Sequence, residues 1–259
     1  MSNANFSWTT VLVTGGAGGL GRALAAYFLK HNKKVIIAGR TESKLQTTAR
    51  ELGCEYLVVD VGAVETLQRF TEEVVKRFPN LDAVVANAGI QKKPVNLTTQ
   101  DPASLLLSAD QEININIRGT LHLIHHLLPH LLSKPNAAVY TVSSGLAFIP
   151  ISHIPVYCAT KAFVHSWTQS LRVQLTGRVK VMEIIPPLVE SDLHRDHDDP
   201  DNNKKHQNAM ALTIDEFIAG VDRDIQAGKD EITPGFAQDL AQKSLEAFGE
   251  KFRLFNQPH

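Results

Sequence analysis

Thr14-Gly15-Gly16-Ala17-Gly18-Gly19-Leu20-Gly21 follows the apolar run at 10–13 and leads into an amphipathic stretch at 21–31. Strand, glycine-rich turn and helix in that order let backbone N–H groups at a helix N-terminus approach a pyrophosphate, while the glycines permit the tight turn. Such a turn also serves purely structural connections. Its position at the first strand of a repeating pattern favours phosphate binding, which makes Gly15, Gly18, Gly19, Leu20 and Gly21 candidate cofactor contacts.

Working outward, the pattern repeats. Apolar runs at 34–38, 55–60, 83–86, 138–143 and 180–185 read as further strands, and the stretches at 42–52, 64–78, 110–132 and 156–175 read as helices between them. Val35-Ile36-Ile37-Ala38 and Ala83-Val84-Val85-Ala86 are apolar at every position, as strands buried on both faces must be. The expected architecture is α/β: a single Rossmann-type, doubly wound parallel sheet of about seven strands, flanked by helices on both faces, in one domain over 1–259. Right-handed crossovers gather the loops after the strands on the carboxyl edge, where ligands bind.

At the end of the second strand, where an acid would bond a ribose 2′-hydroxyl, the sequence has Ala38-Gly39-Arg40-Thr41. Gly39 takes the place of the acid, and Arg40 offers a planar, charge-assisted fork to a 2′-phosphate. NADP(H) is therefore the preferred cofactor and NAD(H) the lesser one; Arg40 stacked on an adenine, or facing solvent, is the other reading.

Bulk composition narrows the partners. A net charge of −1 and a charged fraction of 20% give no basic excess for nucleic acid or an anionic membrane, so a small molecule is the expected partner. No apolar run approaches the length of a membrane span, and the polar stretch at 1–10 lacks the pattern of a secretion signal. With only two cysteines, Cys54 and Cys158, a cytoplasmic protein is expected.

Tyr157-Cys158-Ala159-Thr160-Lys161 sets a phenol and an ammonium one helical turn apart, on one face of the helix. That spacing alone arises easily by chance, but Ser143-Ser144 ends a strand at the same sheet edge and supplies a hydroxyl for a substrate oxygen. Taken in order, the glycine turn, Asp60, Asn87-Ala88-Gly89, Asn116 in Asn116-Ile117-Arg118-Gly119, Ser144, and Tyr157 with Lys161 resemble the short-chain dehydrogenase/reductase family in its single-domain branch. The match covers about residues 10 to 195.

The resemblance implies catalytic roles for Asn116, Ser144, Tyr157 and Lys161. Ser144 orients the carbonyl, Tyr157 transfers the proton, Lys161 bonds the nicotinamide ribose, and Asn116 holds a water linking Lys161 to solvent. It further implies that Gly15, Gly19 and Gly21 shape the phosphate turn, that Asp60 and Val61 border the adenine, and that Asn87, with Ala88 and Gly89 beside it, supports the ribose. A free phenol has a pKa near 10, and a cation within about 4 to 6 Å favours phenolate by roughly 1 to 3 units, so Tyr157 is expected to be made acidic by Lys161 and the oxidised nicotinamide together.

One departure concerns Pro186-Pro187-Leu188-Val189-Glu190-Ser191. The family commonly has Pro-Gly here, and Pro187 removes an N–H and fixes φ. Pro186 borders the site, the Val189 N–H could still reach a nicotinamide carboxamide, and the Ser191 hydroxyl could bond it.

The polar stretch that follows reads as a lid near 191–212 or as a surface insertion, and as a lid its composition suggests a small or moderately polar substrate. His122, His125, His126 and His130 have metal-compatible spacings, but the leucines among them favour packing, so no metal is expected. By resemblance this helix and the one after Tyr157 form a homodimer or homotetramer contact. Two functional readings stand: an NADP(H)-dependent oxidoreductase interconverting a carbonyl and an alcohol, and a catalytically silent NADP-binding sensor or scaffold. The sensor would have no need of the full set Asn116, Ser144, Tyr157 and Lys161.

Overall fold

The computed structural model describes residues 6–256; Met1 to Asn5 of the polar N-terminal stretch, and residues 257–259, lie outside them. Seven strands, β1 (Thr10–Thr14), β2 (Lys34–Gly39), β3 (Glu55–Val58), β4 (Ala83–Ala86), β5 (Ala138–Val142), β6 (Lys180–Ile184) and β7 (Glu231–Ile232), form one parallel sheet in the order β3-β2-β1-β4-β5-β6-β7. The order reverses between β1 and β4, so the crevice outside their carboxyl ends is where a doubly wound sheet takes a ligand.

Alternation along the strands feeds two cores. Val11, Val13 and Ile37 face one layer with Phe28 of α1 (Gly19–Lys30) and Phe217 of α7 (Ile214–Gln226). Leu12, Ile36 and Val84 face the other, with Leu67 of α3 (Leu67–Arg77) and Leu123 and Leu127 of α5 (Thr120–Leu132). Helix α2 (Glu42–Leu52) ends at Gly53, whose φ of 70° lets the chain turn into β3.

The helix expected from 110 is longer and interrupted. Helix α4 (Pro102–Glu112) starts with Pro102 at its first turn, capped by the Asp101 carboxylate, which accepts the Ser104 N–H at 2.9 Å. It passes through a π-helical turn, Ile113–Gly119, before α5. Gly119 is required there, because a Cβ would lie 2.7 Å from the Val61 carbonyl oxygen.

Helix α6 (Pro155–Gln174) carries Tyr157 and Lys161 on its buried side, and α8 (Ala237–Phe255) closes the chain. Among the described residues no helix is long and apolar enough to cross a membrane.

Candidate active site

A cleft of about 740 Å³ opens at the carboxyl ends of the strands. Its floor is the glycine turn. Gly15 and Gly19 have φ of 67° and 49°, values that a side chain would strain. A Cβ on Gly21 would lie 2.2 Å from the Gly15 carbonyl oxygen and 2.6 Å from Asn87 Nδ2, so this crossing tolerates only hydrogen. Gly18 and Leu20 line the same floor.

Thr14 and Asn87 lock β1 to β4 beneath it. The Thr14 hydroxyl accepts the N–H groups of Asn87 and Ala88, both at 3.1 Å, while Asn87 Nδ2 donates to the Thr14 carbonyl at 2.9 Å. Ala88 and Gly89 continue along the cleft wall, with Asp60 and Val61 on the β3 side. The Asp60 carboxylate accepts the Gly62 N–H at 2.9 Å and so shapes that loop.

Arg40 is exposed at the far end of the cleft, and Lys44, one turn into α2, lines it too. Among the described residues neither cation has a carboxylate partner. Lys44 escaped the sequence reading, although its place four residues after Arg40 at a helix N-terminus was a usable signal.

At the other end, Asn116, Ser144, Tyr157 and Lys161 are each at most 8% exposed. Lys161 Nζ donates to the Val142 carbonyl at 2.9 Å and lies 5.7 Å from the centre of the Tyr157 ring. Ser144 Oγ accepts the Leu146 N–H at 3.1 Å, and its own hydroxyl is directed to the Tyr157 phenol. Asn116 sits in the π-helical turn, the kind of irregularity that recurs at functional sites. Both its polar atoms are engaged: Oδ1 accepts the Ile90 N–H, and Nδ2 donates to the Ile90 carbonyl and to Thr160 Oγ1. It therefore fixes the segment that passes beside Lys161, where a Cβ on Gly89 would lie 3.6 Å from Nζ.

The electrostatics correct one expectation. In the chain by itself burial raises the Tyr157 pKa well above 10, outweighing the Ser144 hydroxyl, which acts in the opposite direction; the charges of Cys158 and Glu112 add to the rise. Lys161 is buried as well, and desolvation brings its own pKa down to about 8. Tyr157 is thus a neutral phenol and Lys161 a marginal cation.

The segment after β6 forms the remaining wall. Pro186 accepts the Gly145 N–H at 2.9 Å through its carbonyl, and Pro187 packs toward Gly235, where a Cβ would lie 3.3 Å from its ring. A bridge to Leu212 uses the Glu190 N–H and the Leu188 carbonyl, which leaves the Val189 N–H outside it. Ser191 Oγ accepts the Leu193 N–H at 3.3 Å.

Residues 191–212 fold back over the cleft in turns of their own. His194 and His197 stack with ring centres 4.3 Å apart, Asn203 holds the Val189 and Ser191 carbonyls, and Lys93 ties Asp198 at 2.5 Å. Asp198 faces solvent, whereas Leu193 turns inward with Leu146 and Ile151 against Tyr157. The segment therefore meets the cleft with two kinds of surface: Asp192, His194, Arg195, His197, Asn202 and Asn203 line it with polar groups, while the patch beside the phenol is apolar.

The amide of Gln91 also lines the cleft, 3% exposed and with Oε1 unpartnered. Sequence reasoning found neither Gln91 nor the apolar wall; both depend on loops meeting from distant parts of the chain. His153 lies on the cleft wall, while the α5 histidines are distributed elsewhere: His125 lies against Trp167, and His130 Nε2 bonds the Leu81 carbonyl.

Comparison with known proteins agrees with this geometry. The model of the short chain dehydrogenase family matches residues 9–202. An uncharacterised oxidoreductase of Bacillus subtilis, DltE, is 34% identical over 249 residues, covering 95% of this chain and 96% of that protein. Among solved structures, the closed form of a serine dehydrogenase complexed with NADP+ superposes with a TM-score of 0.72 at 28% identity, over 80% of this chain and 84% of that one. A short-chain dehydrogenase from Sphingobium yanoikuyae in complex with NADPH gives a TM-score of 0.80 at 19% identity, over 97% and 96%, a likeness of fold.

Proposed function

The chain belongs to the short-chain dehydrogenase family of oxidoreductases, and from that premise we propose that it interconverts a carbonyl and an alcohol with NADP(H), using Tyr157 as the proton-transfer group. The observation that carries the reading is the convergence of Tyr157, Lys161 and Ser144 on one cleft whose other end is a glycine cradle. The cradle that a Cβ would fill at Gly21, and the two unpaired cations Arg40 and Lys44, fit a dinucleotide bearing a 2′-phosphate. The related serine dehydrogenase was captured with NADP+, which supports the same cofactor here.

NADP(H), when bound, supplies or accepts the hydride. The protein's residues handle the oxygen and its proton. Ser144 donates its hydroxyl proton to the substrate oxygen, and Tyr157, neutral because it is buried, gives its own proton as charge develops there. Lys161 offers the Val142 carbonyl one N–H and keeps two for the ribose side of the cleft, where its charge eases loss of the phenolic proton. Asn116 holds the Ile90 segment in place beside it. In reduction the phenol gives its proton, and in oxidation the same group, helped by the ammonium, takes one up.

Residues 191–212 act as the lid, and the serine dehydrogenase captured in a closed form supports such a role. Leu146, Ile151 and Leu193 suit a carbonyl compound with an apolar flank, the Gln91 amide being the polar contact at its edge. Helices α5 and α6 form the contact of a homodimer or homotetramer, α6 bringing the exposed Phe163 and Val173, and the exposed Leu106 and Leu107 of the preceding α4 extend it.

The test is NADPH oxidation screened over ketones, aldehydes and quinones, with Tyr157→Phe as the control. Turnover in that variant should fall by roughly 10² to 10⁴; undiminished turnover overturns the role of Tyr157. Binding of NADPH without turnover on any substrate would favour a silent sensor.

A further inference from the structure

Strand β6 carries one acid inside an apolar run. Glu183 is fully buried, and both its carboxylate oxygens lie 3.0 Å from His165 Nδ1 on α6. His165 is one helical turn beyond Lys161. In the β5–β6 register Glu183 pairs with Thr141, the residue before Val142, whose carbonyl receives the Lys161 ammonium. Thr141 in turn bonds Thr168 of α6 at 2.8 Å, so Glu183 sits in the layer between the sheet and the helix that presents Tyr157 and Lys161.

We propose that Glu183, partnered by His165, is a positioning residue that holds the positive charge on Lys161 from behind the active site. The proposal rests on the reading of Lys161 as a working ammonium. Desolvation pulls the Lys161 pKa down to about 8, and the Glu183 carboxylate is the charge that opposes it. Without that carboxylate, Lys161 would lose its proton near neutral pH, and with it the cation that draws on the phenol.

The other charged groups facing Glu183 are accounted for. His165 is raised by Glu183 and by Glu231 of β7, against the lowering effect of burial. Glu231 itself is raised by burial and by Glu183, and Arg172 of α6 lies 3.6 Å from it. His165, Glu183 and Glu231 place their donor atoms within 4.8 Å of one another, a spacing that could hold a metal ion. Arg172 already supplies a cation to this cluster, which offsets the acids without a metal. On the far side of Tyr157, the buried Glu112 acts on the phenol and accepts the Lys92 N–H.

The experiment titrates Lys161 directly. The full chain, without cofactor or substrate, is labelled with trace fluorodinitrobenzene across pH, and the Lys161 peptide is quantified by mass spectrometry. The unsubstituted protein should give a midpoint near 8. Glu183→Gln should lower it by about one pH unit, a roughly tenfold loss in the ratio of ammonium to amine. The double variant His165→Gln/Glu183→Gln replaces the ion pair by two amides of similar shape, which favours folding, and should show the same drop. His165→Gln alone keeps the carboxylate and should not lower the midpoint.

An unmoved midpoint in the folded double variant overturns the proposal, as does an equal drop in His165→Gln alone. In active protein the alkaline limb of kcat/KM should move with the labelling midpoint. Because labelling does not read turnover, this result is independent of the Tyr157→Phe test.

Discussion

The glycine turn between β1 and α1 and the segment between β6 and α7 face each other across one cleft, yet they are built on opposite terms. The turn is held by backbone geometry. Its positive φ angles, the contact of Gly21 with Gly15, and the clamp of Thr14 on Asn87 leave no room for a side chain and little for movement. The segment at 191–212 is held by side chains: a stacked histidine pair, the Asn203 amide and an exposed ion pair at Asp198. Of these only the Asp198 pair is exposed and weak; Asn203, His194 and His197 are buried, so the contacts that exchange readily with water lie at the rim of the segment.

That contrast can be broken most sharply at Gly21. Gly21→Ala places a methyl group against the Gly15 carbonyl and Asn87, and neither can retreat without parting β1 from β4. NADPH affinity, read by fluorescence titration, should drop by more than about 100-fold, comparable to an overpacked core with its binding surface displaced. Retention of affinity within about tenfold would show that the turn is not the rigid side.

Arg40 and Lys44 come next, since they sit at the rigid end but act through charge alone. Arg40→Ala with Lys44→Ala should reduce the preference for NADPH over NADH by roughly 10- to 100-fold in kcat/KM, the worth of one or two charge-assisted bonds. An unchanged ratio would assign the preference elsewhere.

The smallest effect belongs to the segment at 191–212. Asp198→Asn removes an exposed ion pair with Lys93, and kcat/KM should stay within about twofold. A large loss would mean that the outer face of the segment, and not its inner leucine, governs closure.

Much of the cofactor half was legible because its determinants are local. Gly15 to Gly21, Gly39-Arg40 and Asn87-Ala88-Gly89 each lie within a few residues of a strand end, so the alternation of apolar runs placed them at once. Helix α6 was equally legible, and with it the common face of Tyr157 and Lys161. Other elements lacked a readable period. Strand β7 has two residues, too few to show alternation, and the π-helical turn around Asn116 shows itself only in the i→i+5 bonding of the backbone. The π turn aims the Asn116 side chain at Ile90 and Thr160, a contact that no spacing announces. Glu183 escaped the sequence reading, which took 180–185 as a plain apolar run, and its partner His165 was reached only once β6 packed beneath α6.

The sequence by itself determined the sheet, the glycine turn and the placing of Tyr157 and Lys161 on one helical face, because glycine's missing Cβ and the helical repeat act over a few residues. The tertiary structure decided how those groups ionise and what surrounds them. Burial raises Tyr157 and lowers Lys161, and Leu146, Ile151 and Leu193 meet beside the phenol from separate loops. Desolvation and packing are properties of the enclosed volume, and that volume exists only when distant segments close around it.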